Sequence, residues 1–151
     1  YYKAFSSSMQ RILASYCRSG GNLLVSGAYV GSDMDNSQGN RDFIQNILKY
    51  RYGNSLKTDG DKIAVQGLGR TFTLPRLPNE QDYPVTSPDC ILPMSPAFPV
   101  MTYATGNASA AVAYQGSDYR TFIMGFPFES IREETSRNAI MASILRFLTT
   151  D

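Results

Sequence analysis

The chain has 151 residues, 42% of them hydrophobic and 18% charged, enough for one domain with a core and too few for two comfortable ones. Its net charge of +1, with no basic cluster, gives no footprint for nucleic acid, and no apolar run nears the roughly 18 residues of a membrane-spanning helix. Histidine is absent, which removes Ser-His-Asp, Cys-His and His-metal chemistry at once.

Tyr1-Tyr2-Lys3-Ala4-Phe5 opens the chain without Met or a signal-like stretch, so a piece of something longer is expected, folded as one domain over 1–151. A helix is predicted from about Ser6 to Arg18, with Phe5, Met9, Ile12, Leu13 and Tyr16 on one face. Ser6 to Ser8 supply its cap and Gly20 or Gly21 its left-handed stop. Asn22 to Ser26 follows as a strand whose unalternating Leu23-Leu24-Val25 implies cover on both faces.

The stretch Gly27 to Gly39 reads as a polar connection. Asp33 and Asp35 at alternate positions invite a calcium-loop reading. Gly39 stands off the sixth place, however, and Ile44 replaces the bidentate Glu, so a solvated connection is preferred. Asn40 is expected to cap a second helix to about Tyr50, with Phe43, Ile44, Ile47 and Leu48 inward.

Lys62 to Gln66 and Thr71 to Leu74 form a predicted hairpin around Gly67-Leu68-Gly69-Arg70; no helix follows, so Gly67-x-Gly69 is no nucleotide fingerprint and no cofactor is expected. Seven of the eight prolines lie between Pro75 and Pro99. That spacing excludes a helix or a central strand. Its apolar residues predict an ordered belt across the sheet or its edge, burying Leu77, Ile91, Leu92 and Phe98.

Strands are predicted at Val100 to Thr105, Ser109 to Tyr114 and Tyr119 to Gly125, and Asn107-Ala108-Ser109 matches a glycosylation sequon. Ser130 with Glu133 reads as a capping box for a last helix burying Ile140, Met141, Ile144, Leu145 and Leu148. Cys17 and Cys90 allow a disulfide or two buried thiols; with no local signal pairing them, they are expected to be unlinked. The element order predicts an α/β three-layer sandwich, flavodoxin-like, with a mostly parallel sheet and added β-hairpins.

Two motifs carry a family likeness. Gly20-Gly21-Asn22-Leu23-Leu24-Val25-Ser26-Gly27-Ala28-Tyr29 resembles the strand and nucleophile elbow of class I glutamine amidotransferase-like domains, and Gly125-Phe126-Pro127-Phe128-Glu129-Ser130 resembles their late strand exit. Over most of its length the chain is also similar to a domain of Bacteroidales proteins labelled xanthan lyase. The first likeness implies a Cys-His-Glu triad, but Val25 stands where the Cys belongs and Pro127 where the His belongs, leaving Glu129. A carboxylate without nucleophile or base runs no acyl transfer. The second implies an exported multidomain protein, with polysaccharide elimination using Tyr and Arg; Tyr29, Tyr83, Tyr103, Arg76 and Arg120 have no spacing that gathers them.

Three functions are therefore carried forward. The leading one is a non-catalytic amidotransferase-like accessory module that binds a glycan or packs against other domains of its polypeptide. The others are a glycan-active lyase or hydrolase, and a structural packing domain. No catalytic and no metal residue is assigned. Ser26, Asp33, Asp35 and Glu129 are the candidate binding residues, because ligands of open α/β sheets lie beyond the carboxyl ends of the strands.

Overall fold

The computed structural model describes residues 3–77 and 84–150. The first helix, α1 (Ser7–Arg18), begins as predicted: the Ser6 hydroxyl accepts from the Met9 N–H, and Gly20, at φ 97°, ends the run. Its inward face differs from the expected one. Met9, Ile12 and Tyr16 are exposed, Ile12 to 62%, whereas Cys17 is fully buried. Positions 10, 13, 14 and 17 make an equally good helical stripe. Gln10 holds that stripe inward by donating to the Phe5 carbonyl and the Asn40 side chain at 3.0 and 2.9 Å.

β1 (Leu23–Ser26) leads into α2 (Val30–Met34) and then α3 (Gln38–Asp42), which continues as π-helix over Phe43–Ile47. The polar stretch read as an open connection thus carries a helix. The next helix is capped by Ser37, whose hydroxyl accepts from the Asn40 N–H at 3.2 Å, and not by Asn40. Phe43, Ile44, Ile47 and Leu48 do turn inward.

Among the described residues eight strands form two sheets. β2 (Tyr50–Ser55) and β5 (Asp89–Pro93) pair antiparallel as a separate ribbon, which the sequence reading missed. β3 (Lys62–Gly67), β4 (Arg70–Pro75), β6 (Phe98–Tyr103), β7 (Ser109–Gln115) and β8 (Arg120–Met124) join β1 in the order β1-β8-β7-β6-β3-β4. β1 and β8 run parallel, with Leu23 opposite Thr121 and Ser26 opposite Met124; the other described pairings are antiparallel.

The expected mostly parallel, flavodoxin-like or glutamine amidotransferase-like three-layer sandwich is therefore wrong: the fold is a curled, mixed sheet with an added ribbon. The connections explain why. Parallel neighbours need a crossover of roughly a dozen residues or more. The turns Leu68–Gly69, 104–108 and 116–119 are too short for one, so each returns its strand antiparallel.

Leu24, Ala111, Ala113, Phe122 and Met124 enter the core shared with α4 (Glu134–Thr149). Leu23, Val25, Val112 and Ile123 enter a second core with α1, the 43–48 segment and the ribbon. Successive residues feed opposite cores, which is why β1 reads as an unbroken apolar run. β3 and β4 alternate instead: Ile63, Val65, Phe72 and Leu74 are buried while Lys62, Gln66 and Thr71 are exposed.

Pro78 and Tyr83 of the proline-rich stretch lie outside the described residues. The rest is not a belt, since it supplies β5 and the start of β6. Ile91 is buried and Leu92 half-buried, but Leu77 and Phe98 are exposed to 45% and 41%. Pro99 stands in a strand of the main sheet because β6 meets β3 at 101–103; at Pro99 the described partner is Val112 on β7 alone. A missing N–H is tolerated at such a locally edge position.

Ser130 and Glu133 do not form a capping box. The Ser130 hydroxyl donates to the Pro127 carbonyl at 2.5 Å within one 3₁₀ turn. Glu133 reaches β4, accepting from the Thr73 hydroxyl at 2.6 Å and the Thr73 N–H at 3.1 Å. Burial pushes its carboxyl up, but the Thr73 bonds outweigh that and hold it below its ordinary value. α4 buries Ile140, Ile144 and Leu148, with Met141 half-buried and Leu145 exposed. Cys17 and Cys90 are free, buried thiols. Asn107 of the sequon sits at φ 53° in the turn after β6. No helix of the described residues is long and apolar enough to cross a membrane.

Candidate functional site

Because β1 and β8 are adjacent and parallel, the segments that leave them, Gly27–Val30 and Phe126–Ser130, emerge on one edge. Between them lies a crevice of about 390 Å³, lined among others by Ser26, Ala28, Tyr29, Pro84, Pro127 and Glu129. Two of the four candidate residues, Ser26 and Glu129, thus meet there.

Asp33 and Asp35 do not join them. Asp33 accepts from the Ala4 N–H at 2.6 Å, and Asp35 pairs with Arg41 at 3.1 Å, so each tethers a neighbouring segment. No group of three His, Cys, Asp or Glu fit to hold a metal occurs among the described residues, and the calcium-loop reading finds no ligand cluster.

The Ser26 hydroxyl accepts from the Phe128 N–H at 3.3 Å, which fastens the exit of β8 to the end of β1 and leaves the serine proton free to donate. Glu129 is exposed and has no bonded partner among the described residues; Tyr29 is half-exposed beside it. Val25 packs into the core and Pro127 is buried, and neither side chain carries a group able to act as nucleophile or base.

Of the residues weighed for elimination chemistry, Tyr29 reaches the crevice and Tyr83 lies outside the described residues. Tyr103 is fully buried. Arg120 binds the Phe147 and Thr150 carbonyls at the end of α4, and Arg76 binds the Gly60 carbonyl.

The sequence reading missed the residue that builds this edge. Asp89, with 0% exposure, lies across the carboxyl ends of both strands. Its N–H is shared by the Ala28 carbonyl at 3.1 Å and the Gly125 carbonyl at 3.0 Å, and its own carbonyl accepts from the Tyr103 hydroxyl at 2.8 Å. Oδ2 accepts from the Ser32 N–H at 3.1 Å, whereas Oδ1 and the buried Tyr50 hydroxyl have no partner among the described residues. Burial pushes the Asp89 carboxyl up to about 6 despite the bonds from Ser32 and Gly31. It raises the Tyr50 hydroxyl too, with the Asp89 charge adding to the effect. The available signal was an acid heading the apolar run Cys90-Ile91-Leu92.

No protein-family model and no curated protein matches the chain. Several solved structures do. Gan42B, a GH42 β-galactosidase from G. stearothermophilus, superposes with a TM-score of 0.68 at 14% identity, over 95% of this chain and 20% of that one. The exo-β-1,4-mannosidase Op5Man5 from Opitutaceae bacterium strain TAV5 gives 0.62 at 13% identity, over 98% of this chain and 24% of that one. The mmIFT52 N-terminal domain gives 0.60 at 15% identity, over 97% and 73%. At such identities the likeness is one of fold. The chain spans about a fifth of the β-galactosidase, so its fold is similar to one portion of a large glycosidase.

Proposed function

We propose that the chain is a non-catalytic accessory module of a larger glycan-active polypeptide, with the crevice at the ends of β1 and β8 as its binding or domain-packing face. The observation that carries this is the make-up of the crevice: among the described residues that line it stand one carboxylate, Glu129, and one serine, Ser26, in a chain without histidine. Glycoside hydrolysis ordinarily takes two carboxyl groups about 5–9.5 Å apart across the scissile bond. Asp33 and Asp35 are engaged elsewhere, and Asp89 is closed off beneath α2. Acyl transfer takes a nucleophile and a base, which Val25 and Pro127 do not supply.

The β-galactosidase and mannosidase neighbours support the glycan context, as does the resemblance to the domain of proteins labelled xanthan lyase. They also favour a second reading, in which the chain is an integral part of a glycan-active enzyme whose chemistry lies in other residues of that polypeptide. Incubating the 151-residue chain with p-nitrophenyl β-galactoside, p-nitrophenyl β-mannoside and glutamine is expected to release no product above buffer. Product formation that disappears in Glu129→Gln would overturn the non-catalytic reading.

A further inference from the structure

We propose that the crevice takes a neutral pyranoside of one or two rings and rejects the uronate of the same shape. This rests on the reading of the crevice as a binding face. At about 390 Å³ the space falls at the small end of the roughly 300–1,000 Å³ typical of small-molecule sites. Its edge is held in advance, since Ala28 is tied through the Asp89 N–H and Phe128 through the Ser26 hydroxyl. A ligand entering it therefore has little ordering left to do.

The groups left unbonded suit a polyol. Glu129 can accept from two ring hydroxyls, and the Ser26 proton can be donated to a third. Tyr29 offers an amphipathic ring to a C–H face, with Pro127 and Pro84 as apolar walls. Charge then selects among sugars. Among the described residues no lysine or arginine lines the crevice, so a ligand carboxylate meets Glu129 without a compensating cation. Like charges some 5 Å apart in a half-solvated cleft lower affinity by about tenfold, and salt weakens the effect.

The test titrates the chain with methyl β-galactopyranoside and with the matching methyl galactosiduronate, at low and at high salt. The expected result is about tenfold tighter binding of the neutral glycoside at low salt, with the gap narrowing at high salt. Glu129→Gln should bring the two within about twofold, and Tyr29→Ala, checked for fold by circular dichroism, should lose the neutral glycoside. The proposal is overturned if the uronate binds equally well, if the gap survives in Glu129→Gln, if butylammonium displaces the galactoside, or if neither glycoside binds. Failure to bind either sugar leaves the domain-packing form of the accessory module standing, whereas product release in the turnover assay removes that reading itself.

Discussion

Replacing Asp89 by Asn is expected to stabilise the chain by about 3 kcal/mol near pH 8 and by almost nothing near pH 4. The folded carboxyl is pushed to about 6 from 3.8, a little over two units, and each unit is worth about 1.4 kcal/mol. A raised folded pKa means that the native chain holds a proton the unfolded chain has released. The stability from this group is thus fully present below about 4 and is lost as pH rises through about 6. Glu133, held below its ordinary value, contributes with the opposite sign, so the informative quantity is the difference between variant and parent at each pH. The amide oxygen can still take the Ser32 N–H, so the bond to α2 survives the change. In thermal unfolding near pH 8 the gain corresponds to roughly 6–12 °C. A difference that does not vary with pH would show that Asp89 is not a buried, desolvated carboxyl.

Phe126→Ala is expected to destabilise the chain by about 3–5 kcal/mol. Phe126 has 0% exposure and meets the rings of Phe72 and Tyr103 at centroid distances of 6.0 and 6.4 Å. It follows Gly125, whose N–H donates to the Ala110 carbonyl at 2.8 Å, and precedes Pro127 of the crevice. Truncation would leave a void between β4, β6 and the segment that carries Glu129, with strands on two sides that cannot collapse into it. Phe126→Leu keeps much of the volume and should cost about 1.5 kcal/mol or less. Urea unfolding of both variants checks the pair. A cost below about 1 kcal/mol for the alanine would mean that the ring does not pin the exit of β8 to the core.

The sequence was most informative where a short pattern decides the structure. Gly67-Leu68-Gly69-Arg70 closes a hairpin because Leu68 and Gly69 both take positive φ, 53° and 76°, as the turn demands. Leu23-Leu24-Val25 lies between two cores, as its lack of alternation implies. The crevice was half legible for the same reason: an apolar strand running into a turn marks an edge, and Ser26 and Glu129 sit on two such edges. What failed depended on partners distant in sequence. Two stripes on α1 satisfy helical spacing, and the Asn40 side chain favours the one containing Gln10. Asp33 and Asp35 look like a site until Ala4 and Arg41 claim them. The strand order of the main sheet follows from β3 pairing with β6, and the ribbon from β2 pairing with β5, which lies inside the proline-rich stretch that local rules read as irregular. Asp89, the residue that fastens the crevice, was hidden between Pro88 and Pro93.

The binding face is tested most directly by mapping methyl β-galactopyranoside onto the chain through amide chemical shifts. Saturable shifts are expected at Gly27, Ala28, Tyr29, Val30, Phe128 and Glu129, lost in Tyr29→Ala, with p-nitrophenyl β-galactoside left intact by the same sample. Shifts centred instead on the polar cavity at the amino ends of β1 and β8, around Asn22, Asp118 and Arg120, would contradict this placement.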